Sequence, residues 1–187
     1  MVYFPALMTL TQRKVLIVGG GKIAYDKLCH LLEFTSNIEI IASEISQEMQ
    51  EILVKKELTY RKKTYEKGDV IGFDIVVVAV DIFQLQEEIF KETRALHCLC
   101  NAVDIIEFCD FIFPSYIKKG DLLLAISTSG SSPAMAKQLR IFLENIIPDT
   151  IVPFLEEMKM LRATLPKGKD RMKMLELKAK KFIKSWH

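Results

Sequence analysis

Apolar residues in the first hundred positions alternate between uninterrupted runs and stretches with helical spacing. The runs are rich in β-branched residues and occur at 14–20, 38–42, 73–81 and 96–104. Between them, apolar residues recur every three or four positions, at 22–34, 46–57 and 82–95. Uninterrupted runs are typical of strands buried on both faces of a parallel sheet. The pattern therefore predicts right-handed βαβ units, with a more exposed strand at 58–65.

The pattern changes after residue 104. Two extended runs flank residues 118–120 and predict a β-hairpin. A polar turn follows, and then a helix with Ser132 as a suitable N-cap and Pro133 as its first residue. The apolar stripe predicted for this helix comprises Met135, Leu139, Phe142 and Ile146. Two further amphipathic helices, broken at 165–170, end the chain.

Composition narrows the class of protein. The chain has 187 residues, is 50% hydrophobic and carries a net charge of +2, so it can bury a core and is not expected to bind nucleic acid. Basic residues gather beyond Lys159, where most are expected on a solvated helix face. The start lacks a signal peptide and no apolar run is long enough for a bilayer. We therefore expect a soluble cytoplasmic protein that does not associate with membranes.

The cysteines are expected to be buried thiols in a reducing compartment. They are Cys29, Cys98, Cys100 and Cys109. The three histidines are scattered along the chain, whereas a metal site needs histidines or further paired cysteines near one another. We therefore predict no metal site.

The first strand ends in a glycine turn that opens a predicted helix. The turn contains Gly19, Gly20 and Gly21, and Ala24 completes the G-x-G-x-x-A spacing. Between a strand and a helix, this motif allows a tight turn, close approach of a pyrophosphate, and anion binding by free helix N–H groups. The alternative is a glycine-rich turn without a ligand. Three adjacent glycines favour dinucleotide binding, because they weaken a fold unless something must come close.

The second strand is followed by Ser43 and Glu44. An acidic residue at this place binds the ribose hydroxyls of a dinucleotide. No arginine stands there for a 2′-phosphate, so the sequence favours NAD over NADP. The alternative is that both residues only begin a loop.

Residues 3–148 resemble the precorrin-2 dehydrogenases of siroheme synthesis, including the N-terminal module of siroheme synthase. The resemblance lies in "YFPALMTLTQRKVLIVGGGKIA", "CNAVD", "CDFIFPSYIKKGDLLLAISTSGSSPAMAKQLR" and "LENIIP". It implies NAD-dependent oxidation of precorrin-2 to sirohydrochlorin, with insertion of ferrous iron (ferrochelatase activity) in some members. It also implies a homodimer with an α/β fold: a Rossmann-like NAD-binding domain at 1–112, a dimerisation unit at 113–148 and a helical C-terminal domain at 149–187.

The resemblance also implies roles for individual residues. The family's NAD contacts match Gly21, Lys22, Ile23, Ser43 and Glu44. Its essential carboxylate matches Asp104. The chain departs from the family pattern at Asp26, Val80 and Ser129, which bear on the details of cofactor and substrate contact.

Several polar residues are predicted at the carboxyl ends of the strands, where doubly wound sheets bind ligands. Val80 and Asp81 are expected near the cofactor, although Asp81 alternatively starts a helix. Asp104 is the candidate base for the proton that leaves while NAD takes the hydride. Its alternative role is to cap the next turn. Asn101 is expected to satisfy backbone groups.

Precorrin-2 carries many carboxylates, which need donors in the binding pocket. The candidates are Ser127, Thr128, Ser129, Ser131 and Lys137. The alternative for the serine-rich turn is a helix cap without a ligand.

A second functional class is an NAD-sensing regulatory module that binds the dinucleotide without catalysis. Such a module shares the glycine turn but does not need the "FIFPS" and "STSGSSP" segments. Proteins of this class usually carry a DNA-binding or docking segment, and the tail contains no recognisable helix-turn-helix pattern. A purely structural dimer module is the third alternative.

Overall fold

The computed structural model describes residues 3–186. It contains two compact units, residues 4–112 and residues 113–186 together with residue 3. The predicted domain bounds include residues 1, 2 and 187, which lie outside the described residues.

The unit at 4–112 is a parallel sheet with helices between its strands. Its elements are β1 (Val15–Val18), α1 (Lys22–Leu32), β2 (Ile38–Ala42), α2 (Gln47–Lys56), β3 (Thr59–Lys62), β4 (Ile75–Val78), α3 (Phe83–Ala95), β5 (Leu99–Ala102) and a 3₁₀ turn (Ile106–Phe108). All neighbouring strands are parallel, in the order β3-β2-β1-β4-β5. The predicted α/β fold with a Rossmann-like sheet is confirmed.

The strand order reverses between β1 and β4, which makes the carboxyl ends of these strands the switch point of the sheet. Val18 pairs with both Ile41 and Val78, and Val78 pairs with Ala102. Four strands therefore end at one level, and the loops that follow them meet along one edge.

Burial explains why the uninterrupted runs form strands. Every residue of β1 and β4 is buried, and α1 buries Ala24, Leu28 and Leu31 against the sheet. The helical spacing predicts that Ile23 shares an apolar face with Leu28, Leu31 and Leu32. Ile23 is nevertheless 40% exposed, although the neighbouring Ala24 is fully buried, because adjacent side chains leave a helix in different directions.

Two glycines of the β1–α1 turn allow close contacts with neighbouring backbone. Gly19 has φ of +126°, and a Cβ there would lie 2.2 Å from the carbonyl oxygen of Ala79. A Cβ on Gly20 would lie 2.1 Å from the carbonyl oxygen of Glu44. A Cβ on Gly21 would meet no atom within 4 Å. Gly19 and Gly20 are thus needed by the fold itself, whereas Gly21 faces open space.

The unit at 113–186 begins with an antiparallel hairpin and continues as helices. Its elements are β6 (Ser115–Lys119), β7 (Leu122–Ile126), α4 (Pro133–Ile146), α5 (Ile151–Thr164) and α6 (Lys169–Lys184). The core contains Ile117, Ile147 and Ile151, and the stacked rings of Phe154 and Phe182 pack against it. The predicted boundary between residues 148 and 149 stays a prediction.

Helix α4 has the predicted N-cap, and its predicted apolar stripe lies largely exposed. Ser132 caps it, since its hydroxyl accepts a hydrogen bond from the N–H of Met135 at 3.2 Å. The predicted apolar stripe does not face the core, however. Met135, Phe142 and Ile146 are 52%, 61% and 46% exposed, and the buried residue is Ala136.

Across residues 3–186, no helix has the length and apolar character that crossing a membrane requires.

Alanine substitutions test whether Gly20 is required for packing and Gly21 is not. Gly20→Ala should destabilise the protein by about 1–3 kcal/mol, because its Cβ forces the Glu44 backbone away. That loss corresponds to a fall of several degrees in Tm. Gly21→Ala should cost at most about 1 kcal/mol, since its extended backbone accepts alanine and nothing stands nearby. Thermal unfolding of both variants checks this, and equal Tm values would contradict the close-approach explanation.

Candidate functional site

The N-terminus of α1 presents unpaired backbone donors at the end of β1. The helix starts at Lys22, and no side chain caps its N-cap residue, Gly21. The hydrogen bond from the N–H of Tyr25 to the carbonyl of Gly21, at 3.0 Å, closes the first turn. The N–H groups ahead of Tyr25 therefore point out of the helix, and no side chain from residues 3–186 caps them. Together with the helix dipole, such donors can bind a phosphate.

Space and charge around this terminus suit an anionic ligand. Gly21 is exposed and has no neighbour where a side chain would stand. Asp26 introduces a negative charge near this terminus, but its carboxylate pairs with the Lys22 ammonium at 3.6 Å. Both side chains are largely exposed, so this pair adds little stability and leaves the helix terminus accessible.

The loop after β2 is tied to the glycine turn. The N–H of Ser46 donates to the carbonyl of Gly20 at 2.9 Å, and the Ser46 hydroxyl caps α2. Ser43 and Glu44 precede Ser46, are exposed, and make no side-chain hydrogen bond or ion pair within residues 3–186. The structure thus places both predicted ribose-binding residues beside the glycine turn that opens α1.

A cavity of about 170 Å³ lies at the carboxyl ends of β4 and β5, next to the first turn of α1. Its walls include four of the predicted site residues: Ile23, Val80, Asp81 and Asp104. The remaining wall residues are Ala79, Gln86, Val103 and Ile105. The cavity therefore joins residues from three separate parts of the sequence. Asp81 makes no capping bond to α3, whose N-cap is Ile82.

The segment from Val103 to Phe111 folds back along β5 and carries Asp104. The Asp110 carboxylate accepts a hydrogen bond from the N–H of Cys100 at 2.7 Å and forms an ion pair with Arg94. The side-chain amide of Asn101 donates to the carbonyl of Phe111 at 2.8 Å. The predicted backbone-satisfying role of Asn101 is confirmed. These bonds hold the segment against the edge strand of the sheet.

Asp104 lies at the start of this segment with φ of +67° and an exposed side chain. Its carboxylate accepts no hydrogen bond from residues 3–186, so the structure gives no capping bond for the alternative role. Lys27 lies within electrostatic range of Asp104. Burial lowers the pKa of the Lys27 ammonium, and the neighbouring Cys109, Asp104 and Asp26 oppose that shift.

All four cysteines are free thiols. Cys98 and Cys100 are buried as predicted, whereas Cys29 and Cys109 are only partly buried. Burial raises the pKa of Cys98 to about 11 and that of Cys100 to about 12. At neutral pH both are protonated and therefore poor nucleophiles. They belong to the core beneath the site and not to its chemistry.

Sequence reasoning missed Gln86 and Lys27. Gln86 lies in α3 on the buried stripe with Ile89 and Thr93. An amide at a position with core spacing is the signal that could have identified it. Lys27 follows Asp26 in α1 and gave no separate signal, because its partial burial depends on the segment that folds back along β5.

The serine-rich turn belongs to the other unit, and its hydroxyls mostly serve its own backbone. Ser127 accepts from the N–H of Ser129, and Thr128 accepts from the N–H of Ser132, both at 3.0 Å. Ser129 has φ of +51°. Ser131 and Lys137 are exposed. These bonds agree with the helix-cap interpretation, and substrate binding by the turn stays a prediction.

Comparisons with known proteins give three kinds of likeness. Residues 6–115 match the family model described as "Putative NAD(P)-binding". The siroheme synthase of Baumannia cicadellinicola is 33% identical over 153 residues, which are 82% of this chain and 33% of that protein. The siroheme synthase of a Psychrobacter species is 35% identical over 145 residues, 78% of this chain and 30% of that one. The chain thus spans about a third of the length of these relatives.

A solved structure of SirC, a precorrin-2 dehydrogenase, superposes with a TM-score of 0.78 and 26% sequence identity. The superposition covers 93% of this chain and 88% of that one. The family model covers more than half of the 187 residues and contains the glycine turn, the Ser43–Glu44 loop and Asp104. The chain belongs to the putative NAD(P)-binding family.

Proposed function

We propose that this protein catalyses the NAD-dependent dehydrogenation of precorrin-2 to sirohydrochlorin. The observation that carries the proposal is the edge of the sheet where the uncapped N-terminus of α1, the cavity and Asp104 lie together. The likeness to a precorrin-2 dehydrogenase over nearly the whole chain supports this substrate. The similarity to siroheme synthases supports a role in siroheme biosynthesis.

The residues at this edge fit NAD. The N–H groups of the first turn of α1 would hold the pyrophosphate, and Gly21 leaves room for it. Glu44 would accept the ribose hydroxyls, with Ser43 beside it. NAD supplies the hydride acceptor when bound.

Asp104 is the proposed base. Dehydrogenation removes a hydride and a proton from the reduced tetrapyrrole, and an exposed carboxylate at the cavity can take the proton. The fold of the 103–111 segment fixes the backbone of Asp104, and no residue from 3 to 186 donates a hydrogen bond to its carboxylate oxygens. The positive charge of Lys27 lies near this carboxylate and forms part of its electrostatic surroundings.

The substrate carboxylates are assigned to the second unit. Ser127, Thr128, Ser129, Ser131 and Lys137 are the proposed contacts. The exposed ammonium of Lys137 can pair with a carboxylate, and the turn contributes hydroxyl donors. Ferrous iron is a proposed second substrate. During its insertion into sirohydrochlorin, Asp104 would accept pyrrole N–H protons.

The apolar stripe of α4 supports a homodimer. Met135, Phe142 and Ile146 form a row of apolar side chains that are only partly covered by residues 3–186. A row of apolar side chains on one helix can pair with the same row of a second copy around a two-fold axis. Residues 113–148 would then form the dimerisation unit, followed by the helical C-terminal domain at 149–187.

Turnover tests the proposed function directly. Purified protein with precorrin-2 and NAD should produce sirohydrochlorin, followed by absorbance. A parallel reaction of sirohydrochlorin with ferrous iron tests chelation separately. Binding of NAD without any oxidation of precorrin-2 would refute the dehydrogenase and favour the NAD-sensing alternative.

Asp104→Asn tests the base. The variant should lower kcat by about 10²–10⁴-fold, because the amide cannot take the proton. Its NAD affinity and Tm should stay close to the wild-type values. Glu107→Gln removes an exposed carboxylate from the same segment, away from the cavity, and should retain full activity. Wild-type turnover by Asp104→Asn would exclude this residue as the base.

Phe142→Glu tests the homodimer. Wild-type protein should sediment as a dimer, and a carboxylate in the α4 stripe should shift it to a monomer by placing a charge in the apolar interface. Val54→Glu changes a side chain that is 76% exposed on α2 and should leave the dimer intact. A monomeric wild-type protein would contradict the assignment.

A further inference from the structure

Gln86 lines the cavity, and its side chain contains a buried hydrogen-bond acceptor that is unsatisfied within residues 3–186. Its side chain is almost completely buried, with 5% of the residue exposed. The amide nitrogen Nε2 donates to the carbonyl of Val80 at 2.6 Å. The amide oxygen Oε1 is buried and has no hydrogen-bond partner in residues 3–186. Leaving such an acceptor unpaired costs stability, so a partner is expected.

The orientation of the amide follows from the bond to Val80. A carbonyl oxygen only accepts hydrogen bonds, so the atom of Gln86 that faces it must be the nitrogen. The oxygen is therefore directed elsewhere, and it needs a donor. None of the other cavity-lining side chains can donate, because they are apolar except for the carboxylates of Asp81 and Asp104. A group of a bound ligand can therefore supply the donor that the side chains of the wall lack.

The place and size of the cavity define the ligand group. Phosphate binding at α1 and ribose binding after β2 put the adenosine half of NAD on the β2 side of the switch point. The nicotinamide half then lies on the β4 side, where the cavity is. The cavity volume of about 170 Å³ suits a single ring. Pockets that hold whole drug-sized ligands measure roughly 300–1,000 Å³, and a tetrapyrrole is far larger than this cavity.

We propose that Oε1 of Gln86 accepts a hydrogen bond from the carboxamide N–H of the nicotinamide group of NAD. Gln86 is thus a cofactor-positioning residue, and the bond to Val80 holds its amide in the accepting orientation. Because the carboxamide is attached to the ring, this bond fixes the rotation of the ring in the cavity. The inference rests on the proposed function only in taking NAD as the cofactor.

Cofactor analogues test this bond without relying on turnover. The acetylpyridine analogue of NAD replaces the carboxamide NH₂ with a methyl group, and ADP-ribose lacks the nicotinamide entirely. Dissociation constants are measured by calorimetry for the wild type, for Gln86→Met, which keeps the chain length, and for Gln84→Met. Gln84 is an exposed residue of the same helix outside the cavity wall and is the matched control.

The wild type and Gln84→Met should bind NAD on the order of tenfold more tightly than the acetylpyridine analogue, because the analogue leaves Oε1 unpaired. In Gln86→Met this preference should disappear, while the affinity for ADP-ribose stays unchanged and reports an intact fold. Equal wild-type affinities for NAD and the analogue would overturn the proposal, even if Gln86→Met fails to fold. A preference that persists in Gln86→Met would overturn it too.

The same titrations distinguish this inference from the proposed function. If wild-type protein binds neither NAD nor ADP-ribose, the cofactor assignment and the inference both fail. If it binds both and does not discriminate against the analogue, the role of Gln86 fails and the proposed function stands.

Discussion

The candidate site depends on the close backbone contacts of the β1–α1 turn. Gly19 lies against the carbonyl of Ala79, and Gly20 against the carbonyl of Glu44, at distances that exclude any side chain. These contacts bring the loop after β2 and the end of β4 together at the switch point of the sheet. Because two glycines serve the fold, the third, Gly21, is the position left open for a ligand. Packing within the protein thus explains Gly19 and Gly20, and ligand binding explains Gly21.

Asp104 depends on a second set of contacts, which hold the 103–111 segment against β5. Asn101 and Asp110 bind backbone groups across this segment, and Arg94 pairs with Asp110. The polar end of β5 therefore has two roles. Asn101 is structural, and the proposed chemistry belongs to the carboxylate three residues later. The same arrangement places Asp104 within electrostatic range of Lys27, which is far away in the sequence.

Sequence patterns predicted the features that depend on local periodicity. The buried runs became parallel strands, the glycine turn opened α1, and Ser132 capped α4. Features that depend on tertiary packing were not predictable in this way. Periodicity showed that α4 has an apolar side but not that this side lies exposed. It also grouped Ile23 with Leu28 and Leu31, although Ile23 is 40% exposed and those two are buried. Gln86 and Lys27 owe their environments to neighbours distant in sequence, so their residue types alone did not reveal them.

The central claim is that NAD binds at the carboxyl edge of the five-stranded sheet, and amide chemical shifts during a titration with NAD test it most directly. We expect the largest changes at Gly21, Lys22 and Ile23, whose N–H groups would face the pyrophosphate. The opposite edge of the sheet has its own cleft, lined in part by Lys14 and Arg61, and its amides should not move. Shifts confined to that cleft, with the amides of the first turn of α1 unchanged, would contradict the assignment.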